Sequence, residues 1–450
     1  MTDLAAAIAG FITGLRWEEV PPEIQDHARN RLLDALSTAV ASRGVPTTKA
    51  IVAVGEALAT TGLCTVLPTG RTTAASEAAL VNGTAVHSIL FEDIHFHSSD
   101  HPGAVIVPAA LAAAESATLV TGRPATIGDL LRGVLVGYEV HLRMGVIAAS
   151  GIKARRLRTT SMFGTIGAAA TAASIWNLPA DVAANAISMA ANLSFGFLEG
   201  FAHGTAEPYL QAGAAARQGI LAVHLARSGV AIGTEAFEGP AGFLQGFADL
   251  PAGMPVAFPD AWQIDGVACK PYPISGGKIT STDSAIAAHQ QGIDGRRIVS
   301  VRALLQPGVK EFPGSDLVGP YRTYAAAQDS TQFCIAAGLL GRDMTSLDTL
   351  LEHFDDAEVE ALTHKIELVS DPGRHFTRLL IELEGGAHEE VEVDWSELQR
   401  PTIEKMSLKL HTLTGGFWTS DTVDAIVAIA TGRLDAPVAD LSRLLRSVGA

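Results

Sequence analysis

Cysteine is scarce in this chain: Cys64, Cys269 and Cys334 are the only three in 450 residues, far apart and odd in number. That leaves no disulfide framework and no CxxC metal motif, and it fits a reducing compartment. Positive charge is short as well, 32 Lys and Arg against 48 Asp and Glu, for a net charge of −16. Such a field argues against nucleic acid and anionic membranes as partners, and an anionic ligand would need a local basic pocket. No window holds ~18 consecutive large apolar residues, which argues against a membrane span. The longest apolar stretches, Ala104 to Ala114 and Ile166 to Ile175, are short and alanine-rich. The amino terminus, Met1-Thr2-Asp3-Leu4, lacks the basic region of a signal peptide. Together these point to a soluble, cytoplasmic protein.

Apolar residues are plentiful, at 48%, with a mean hydropathy of +0.25 and 18% charged residues. They must be buried in a bulky core or a subunit interface. Alanine favours helix and permits close helix packing, so the expected fold is mainly α. The length suits two domains. A 3.6-residue apolar period runs from Glu23 to Ala41, just behind Pro21 and Pro22. Further helices are expected from Ile127, from Pro179-Ala180-Asp181, and over Gly213 to Leu225. The texture changes at Lys270-Pro271-Tyr272-Pro273. Beyond it, Arg297 to Leu304, Lys365 to Val369, Phe376 to Leu383 and Glu389 to Trp395 read as strands, the last two flanking a Glu384-Gly385-Gly386 turn. Tyr324 to Leu340 and Leu347 to Leu351 are apolar without a strand period. Helix returns at Asp421 to Ala430 and Ala436 to Val448. The order predicts a large helical domain, 1–266, a smaller α/β (α+β) domain, 267–400, and carboxyl-terminal helices, 401–450, that rejoin the first.

The segment from His87 to His101 holds four of the fourteen histidines together with Glu92, Asp93 and Asp100. Clustered titratable groups perturb one another, which marks a candidate site. A histidine oriented by a carboxylate suits removal of a proton beside a carbonyl or carboxylate. Glu92 and His97 are candidate substrate contacts in this segment, although ordinary loop hydrogen bonding would also account for His87, His95 and His97. Metal binding through His95, His97, His101, Glu92 and Asp93 is an alternative, but the spacing matches no established metal motif. Lys270, held in an extended Cys-Lys-Pro-Tyr-Pro run, could grip a carboxylate at the domain junction. Lys153-Ala154-Arg155-Arg156-Leu157-Arg158 precedes Thr159-Thr160-Ser161 and a glycine-rich helix start at Gly164, which makes Arg158 and Thr160 candidate anion contacts beside the plainer reading of a solvated charge run. Ser275, ahead of Gly276-Gly277, is a candidate hydrogen-bond donor, or else part of a hinge.

Several blocks, in order, resemble the MmgE/PrpD family, which includes 2-methylcitrate dehydratases, cis-aconitate decarboxylases and an iminodisuccinate epimerase. They are Arg31-Leu32-Leu33-Asp34-Ala35-Leu36, Ala79 to His87, Asp100-His101-Pro102-Gly103, Gly137-Tyr138-Glu139-Val140, Phe163 to Ala169, Gly213 to Arg217, Glu238 to Leu244 and Lys270-Pro271-Tyr272-Pro273. The resemblance implies a helical domain with an inserted α/β lid, a homodimer, no cofactor or metal, and a small-molecule carboxylate substrate. It places His101 on the catalytic histidine, Asp93 on an active-site aspartate that tunes it, and Lys270 on an active-site lysine. Arg158, Thr160 and Gln211 fall on substrate-binding positions.

The chain also departs from the pattern. Dehydratase and decarboxylase relatives have Asp at the place of Leu90, Thr at Ile94 and His at Arg158. Pro208-Tyr209-Leu210-Gln211, after Glu207, replaces a Lys-x-x-His element. A permanent cation thus stands where a titrating group would, and the wall around Gln211 is less cationic, so a smaller or partly neutral acid fits better than a tricarboxylate. The expected activity is a cofactor-independent lyase that abstracts an α-proton, with dehydration of a 2-methylcitrate-like acid ahead of isomerisation or epimerisation, and these ahead of decarboxylation. A metal-dependent enzyme using His95 and His97, and a catalytically silent ligand-binding relative, are the alternatives.

Overall fold

The computed structural model describes residues 3–58, 61–253, 257–395 and 400–447. The described residues are mostly helical, with three small sheets among them. A first hydrophobic core joins residues from Leu4 to Val267 with Met406 to Leu445, and a second joins residues from Tyr272 to Val391.

Thr159–Ile175 lies at the centre of the first core, and every one of its residues is buried. Its sides are covered by Gly103–Thr121, Ile127–Ala154, Ala180–Asn192 and Glu207–Arg227. Small residues make this packing possible. Gly137 and Gly167 meet where two helices cross: a Cβ on Gly167 would stand 2.9 Å from the Gly137 carbonyl oxygen. Gly213 is tighter still, since a Cβ there would lie 2.1 Å from the Leu80 carbonyl oxygen on Ala75–His87. The helix over Glu23 to Ala41 forms as Pro22–Ala41, with proline in the first turn. Ile127–Ala154 starts at a Thr126/Asp129 capping box.

The apolar run from Ala104 belongs to Gly103–Thr121, which is longer than its composition suggested. By length and composition this helix could cross a membrane, but 78% of its apolar window is buried against the rest of the chain. The carboxyl-terminal helices are Ile403–Thr414, Ser420–Gly432 and Val438–Leu445; the Val448 end expected for the last lies outside the described residues. Ile403–Thr414 runs along Pro22–Ala41.

The second core is built on a four-stranded sheet in the order Ile366–Ser370, Ile298–Leu305, Arg378–Leu383, His388–Glu392. The first two strands are parallel and the remaining pairings antiparallel. Ile298–Leu305 alternates buried and more exposed positions, as expected when helices cover one face. Ile279–Gln290 and Thr331–Leu339 provide that cover. The hairpin turns through Gly385 and Gly386, both at positive φ (92° and 82°). Its second strand ends at Glu392, before Trp395.

Two strand pairs are too short to show a period. One of them, Asp93–His95 with Val267–Cys269, is antiparallel and sets Asp93 opposite Cys269. It ties the histidine-rich segment to the lysine segment far along the chain.

Gly213→Ala tests the tight crossing. The substitution would gain up to about 1 kcal/mol of helix propensity, but overpacking against a backbone carbonyl should dominate, with a net loss of about 1–3 kcal/mol. Chemical denaturation would measure it, and an unchanged or higher midpoint would show that the helices can part without cost.

Candidate active site

Ala75–His87 delivers His87 at its last turn, and the chain then reverses through Leu90 at φ 49° before the strand Asp93–His95. A bridge between His95 and Asp100 closes the following loop, and Gly103–Thr121 begins two residues after His101. Side chains along an extended segment point alternately to opposite sides. Ile94 lines a cavity of about 600 Å³ that Leu90 also lines from the preceding turn, and Glu92 turns its carboxylate toward His101. Asp93 turns the other way.

That parity corrects the expectation that the Asp93 carboxylate tunes His101. Its Oδ1 accepts from the Gly103 backbone N–H (3.0 Å), capping the helix start, and its Oδ2 accepts from the Tyr138 hydroxyl (2.6 Å). Arg31 is 4.0 Å away. Burial pushes the Asp93 carboxyl up to about 6, against the pull of Arg31. Only the Asp93 carbonyl oxygen touches the imidazole, accepting from His101 Nδ1 at 2.9 Å.

The carboxylate beside the imidazole is that of Glu92. It is fully buried, with Oε1 at 2.7 Å from His87 Nδ1, 3.3 Å from His101 Nδ1 and 3.5 Å from Lys270 Nζ. Burial alone would raise its pKa, but Lys270, His87 and His101 hold it below the usual carboxylate range. Arg158 NH2 donates to His87 Nε2 at 2.6 Å, so His87 carries its hydrogen on Nδ1 and donates it in a hydrogen bond to Glu92 Oε1. Burial lowers His87 to about 4, leaving it neutral. His101 is also pushed well below 6.5, by burial first and by Lys270 second, while Glu92 works in the opposite direction. Its Nδ1 must carry the hydrogen, because a carbonyl oxygen can only accept. Nε2 is therefore left as a lone-pair base.

The cavity wall carries His101, Arg158, Ser275 and Lys278, with Lys153 and Arg156 also lining it; Glu311 is its one acidic residue. A basic pocket thus exists within a chain of net charge −16. Arg158 is buried, sits 4.6 Å over the Phe201 ring and has NH1 without a partner. Burial lowers it to about 10, where it is still a cation at neutral pH. Lys278, equally buried, bonds Ser315 and lies 5.3 Å over the Phe312 ring. Asp329 is pushed by burial up to about 7, opposed by Lys278, Arg158 and a hydrogen bond from Ser275.

Other expected residues lie off the cavity wall. Thr160 accepts the His101 backbone N–H (3.3 Å) and so braces the loop, while Thr159 faces the cavity. Gln211 donates to the Phe197 carbonyl (3.0 Å). Lys270 stands beyond Glu92 rather than against the cavity. His97 is exposed, whereas His95 is buried and pairs with Ser98 (2.7 Å), and among the described residues no three His, Cys, Asp or Glu side chains converge as metal ligands.

Lys278, Asp329 and His87 were not singled out as site residues from the sequence. Lys278 had a signal, since it follows the Ser-Gly-Gly motif directly. Asp329, in an unremarkable Gln-Asp-Ser run, had none. Lys409 joins from the carboxyl-terminal helices, its ammonium bonded to Asp34 (2.6 Å) and to the carbonyl of Phe91 (2.5 Å), the residue before Glu92.

Comparison with known proteins adds three facts. A model of the MmgE/PrpD N-terminal domain matches residues 6–252. A cis-aconitate decarboxylase-like protein of Aspergillus oryzae is 24% identical over 286 residues, covering 61% of this chain and 59% of its own length. The cis-aconitate decarboxylases of Mus musculus and Homo sapiens are 25% and 28% identical, covering 83% and 66% of this chain and 77% and 61% of their own lengths.

His101 is faced by Glu92, His87, Arg158 and Lys270, which sets a sign for pH behaviour. Because Lys270 lowers the His101 pKa, Lys270→Met should move the acid limb of kcat/KM to higher pH, and Glu92→Gln should move it lower. An acid limb unmoved in both variants would mean that neither charge reaches the imidazole.

Proposed function

The chain belongs to the MmgE/PrpD family, and on that premise we propose that it is a lyase acting on a small carboxylic acid. His101 Nε2 is the base that removes a proton from the carbon beside a carboxylate. The observation that carries this reading is the pair of Nδ1 contacts, 2.9 Å to the Asp93 carbonyl oxygen and 3.3 Å to the Glu92 carboxylate, which assign the hydrogen to Nδ1 and leave Nε2 of a cavity-lining imidazole unprotonated.

The substrate carboxylate is held by Arg158 and Lys278, which also take up the enolate-like charge as the C–H electron pair delocalises. Once protonated, the imidazolium is stabilised by Glu92, as a buried acid stabilises the imidazolium of a catalytic triad. The electron pair then expels a β-hydroxyl group, which needs a proton to leave as water. Asp329 is a fitting source, since its raised pKa keeps part of it protonated near neutrality, and Ser275, which bonds it, reaches the cavity.

Decarboxylation is the second reading, favoured by the names of the relatives. There the bond to a carboxylate breaks, carbon dioxide departs, the electron pair enters the same enolate framework, and the carbon takes a proton from Asp329, which is partly protonated near neutrality, because Nε2 carries none at the start. Both readings use the same groups. Residues 275–278 and most of 306–313 line the cavity together with His101, which supports a lid role for the 267–400 segment.

Hydroxy- and unsaturated di- and tricarboxylates in D₂O would test this by NMR. The expected result is exchange at the α-carbon with release of water, or of carbon dioxide for the second reading, reduced about 10²- to 10⁴-fold in His101→Gln. Exchange that survives His101→Gln, or turnover that requires an added divalent metal, would overturn it.

A further inference from the structure

We propose that the acid taken by this site carries an apolar substituent rather than a third charged arm; the inference rests on the lyase reading above and names its substrate class. The cavity has two unlike regions. One holds His101 with the buried cations Arg158 and Lys278. The other is aliphatic. Leu90 and Ile94, one on each side of Glu92 in sequence, line the cavity together with Val309.

The contacts show that this wall is packed. Ile94 covers Gly276 so closely that a Cβ there would stand 1.9 Å from its Cδ1, and a Cβ on Gly277 would meet Val309 at 3.7 Å. The two glycines therefore bring the chain of the second core directly against aliphatic carbon. Leu90 sits at φ 49°, a region that favours glycine, asparagine or aspartate, so its side chain is held in the wall against the local backbone preference.

Leu90, Ile94 and Val309 offer a ligand no side-chain donor. A carboxylate lodged against them would lose its water without gaining a partner. An alkyl or similar group would instead gain from burial. Of the four cations in the lining, Lys153 and Arg156 are exposed and bond the His97 and Glu311 carbonyls, whereas Arg158, with NH1 free, and Lys278, partly engaged by Ser315, are buried. The buried pair suits one or two carboxylates.

Calorimetry on the full-length chain would test this with succinate, a series of 2-alkylsuccinates from methyl to hexyl, and propane-1,2,3-tricarboxylate. Affinity should rise about fourfold per methylene over the first few carbons, and the tricarboxylate should bind more weakly than 2-butylsuccinate. Ile94→Thr should flatten the series; if that variant does not fold, the wild-type series alone decides. A flat or falling series, or tighter binding of the tricarboxylate, would overturn the proposal. Proton exchange followed in parallel separates the two claims. Chain-length-dependent binding with no exchange removes the lyase reading and leaves this one, whereas exchange without chain-length dependence does the reverse. Binding of none of these acids overturns both.

Discussion

The carboxylate of Glu92 is fully buried and organises the groups around it. An unpaired charge at such a depth would be costly, and removing one member of a buried ionic set commonly costs about 3–5 kcal/mol. Glu92 escapes that penalty because three nitrogens converge on its Oε1, from His87, His101 and Lys270. Each arrives from a different stretch of the fold: the end of one helix, the approach to another, and the segment linking the two cores. The anion thereby holds three pieces of chain in register. Its charge also decides the proton inventory, since Arg158 and His87 feed hydrogen bonds toward it while His101 keeps Nε2 free.

Beneath the site lies a second buried ionic layer that keeps the first in place. Arg31 donates to the Val267 carbonyl (2.9 Å) and lies 4.0 Å from Asp93, which in turn anchors Tyr138 and the start of Gly103–Thr121. Lys409 bonds the carbonyl next to Glu92 from the opposite end of the chain. Aspartate and glutamate at adjacent positions thus have different tasks: Asp93 is tied into the framework and Glu92 faces the chemistry. Alternation of side chains along the extended segment separates the two.

Much of this was legible. Helical periods and alanine-rich composition placed the long helices, and the Gly-Gly turn marked the hairpin. Two glycines of the family blocks, Gly213 and Gly167, are explained by helix crossings, where they admit neighbouring backbone. The cluster from His87 to His101 drew attention by density of titratable groups alone. Gly103–Thr121 was cut short because alanine weakens the apolar signal without weakening the helix.

What stayed hidden depends on contacts between distant residues. The Asp93–His95 strand is three residues long, too short for a period to reveal its facing, and its partner begins at Val267. Asp329 and Lys409 enter the site from positions with no local signature. Arg158 could be read as a solvated charge until the fold buried it under Phe201 and beside His87. By itself the sequence determined the helices, the family resemblance and the segment that carries the chemistry, because periodicity, residue size and motif order are local properties. Only the tertiary structure decided which carboxylate serves His101, which cations survive burial and which wall is apolar, because desolvation and charge pairing are set by neighbours that lie far apart along the chain.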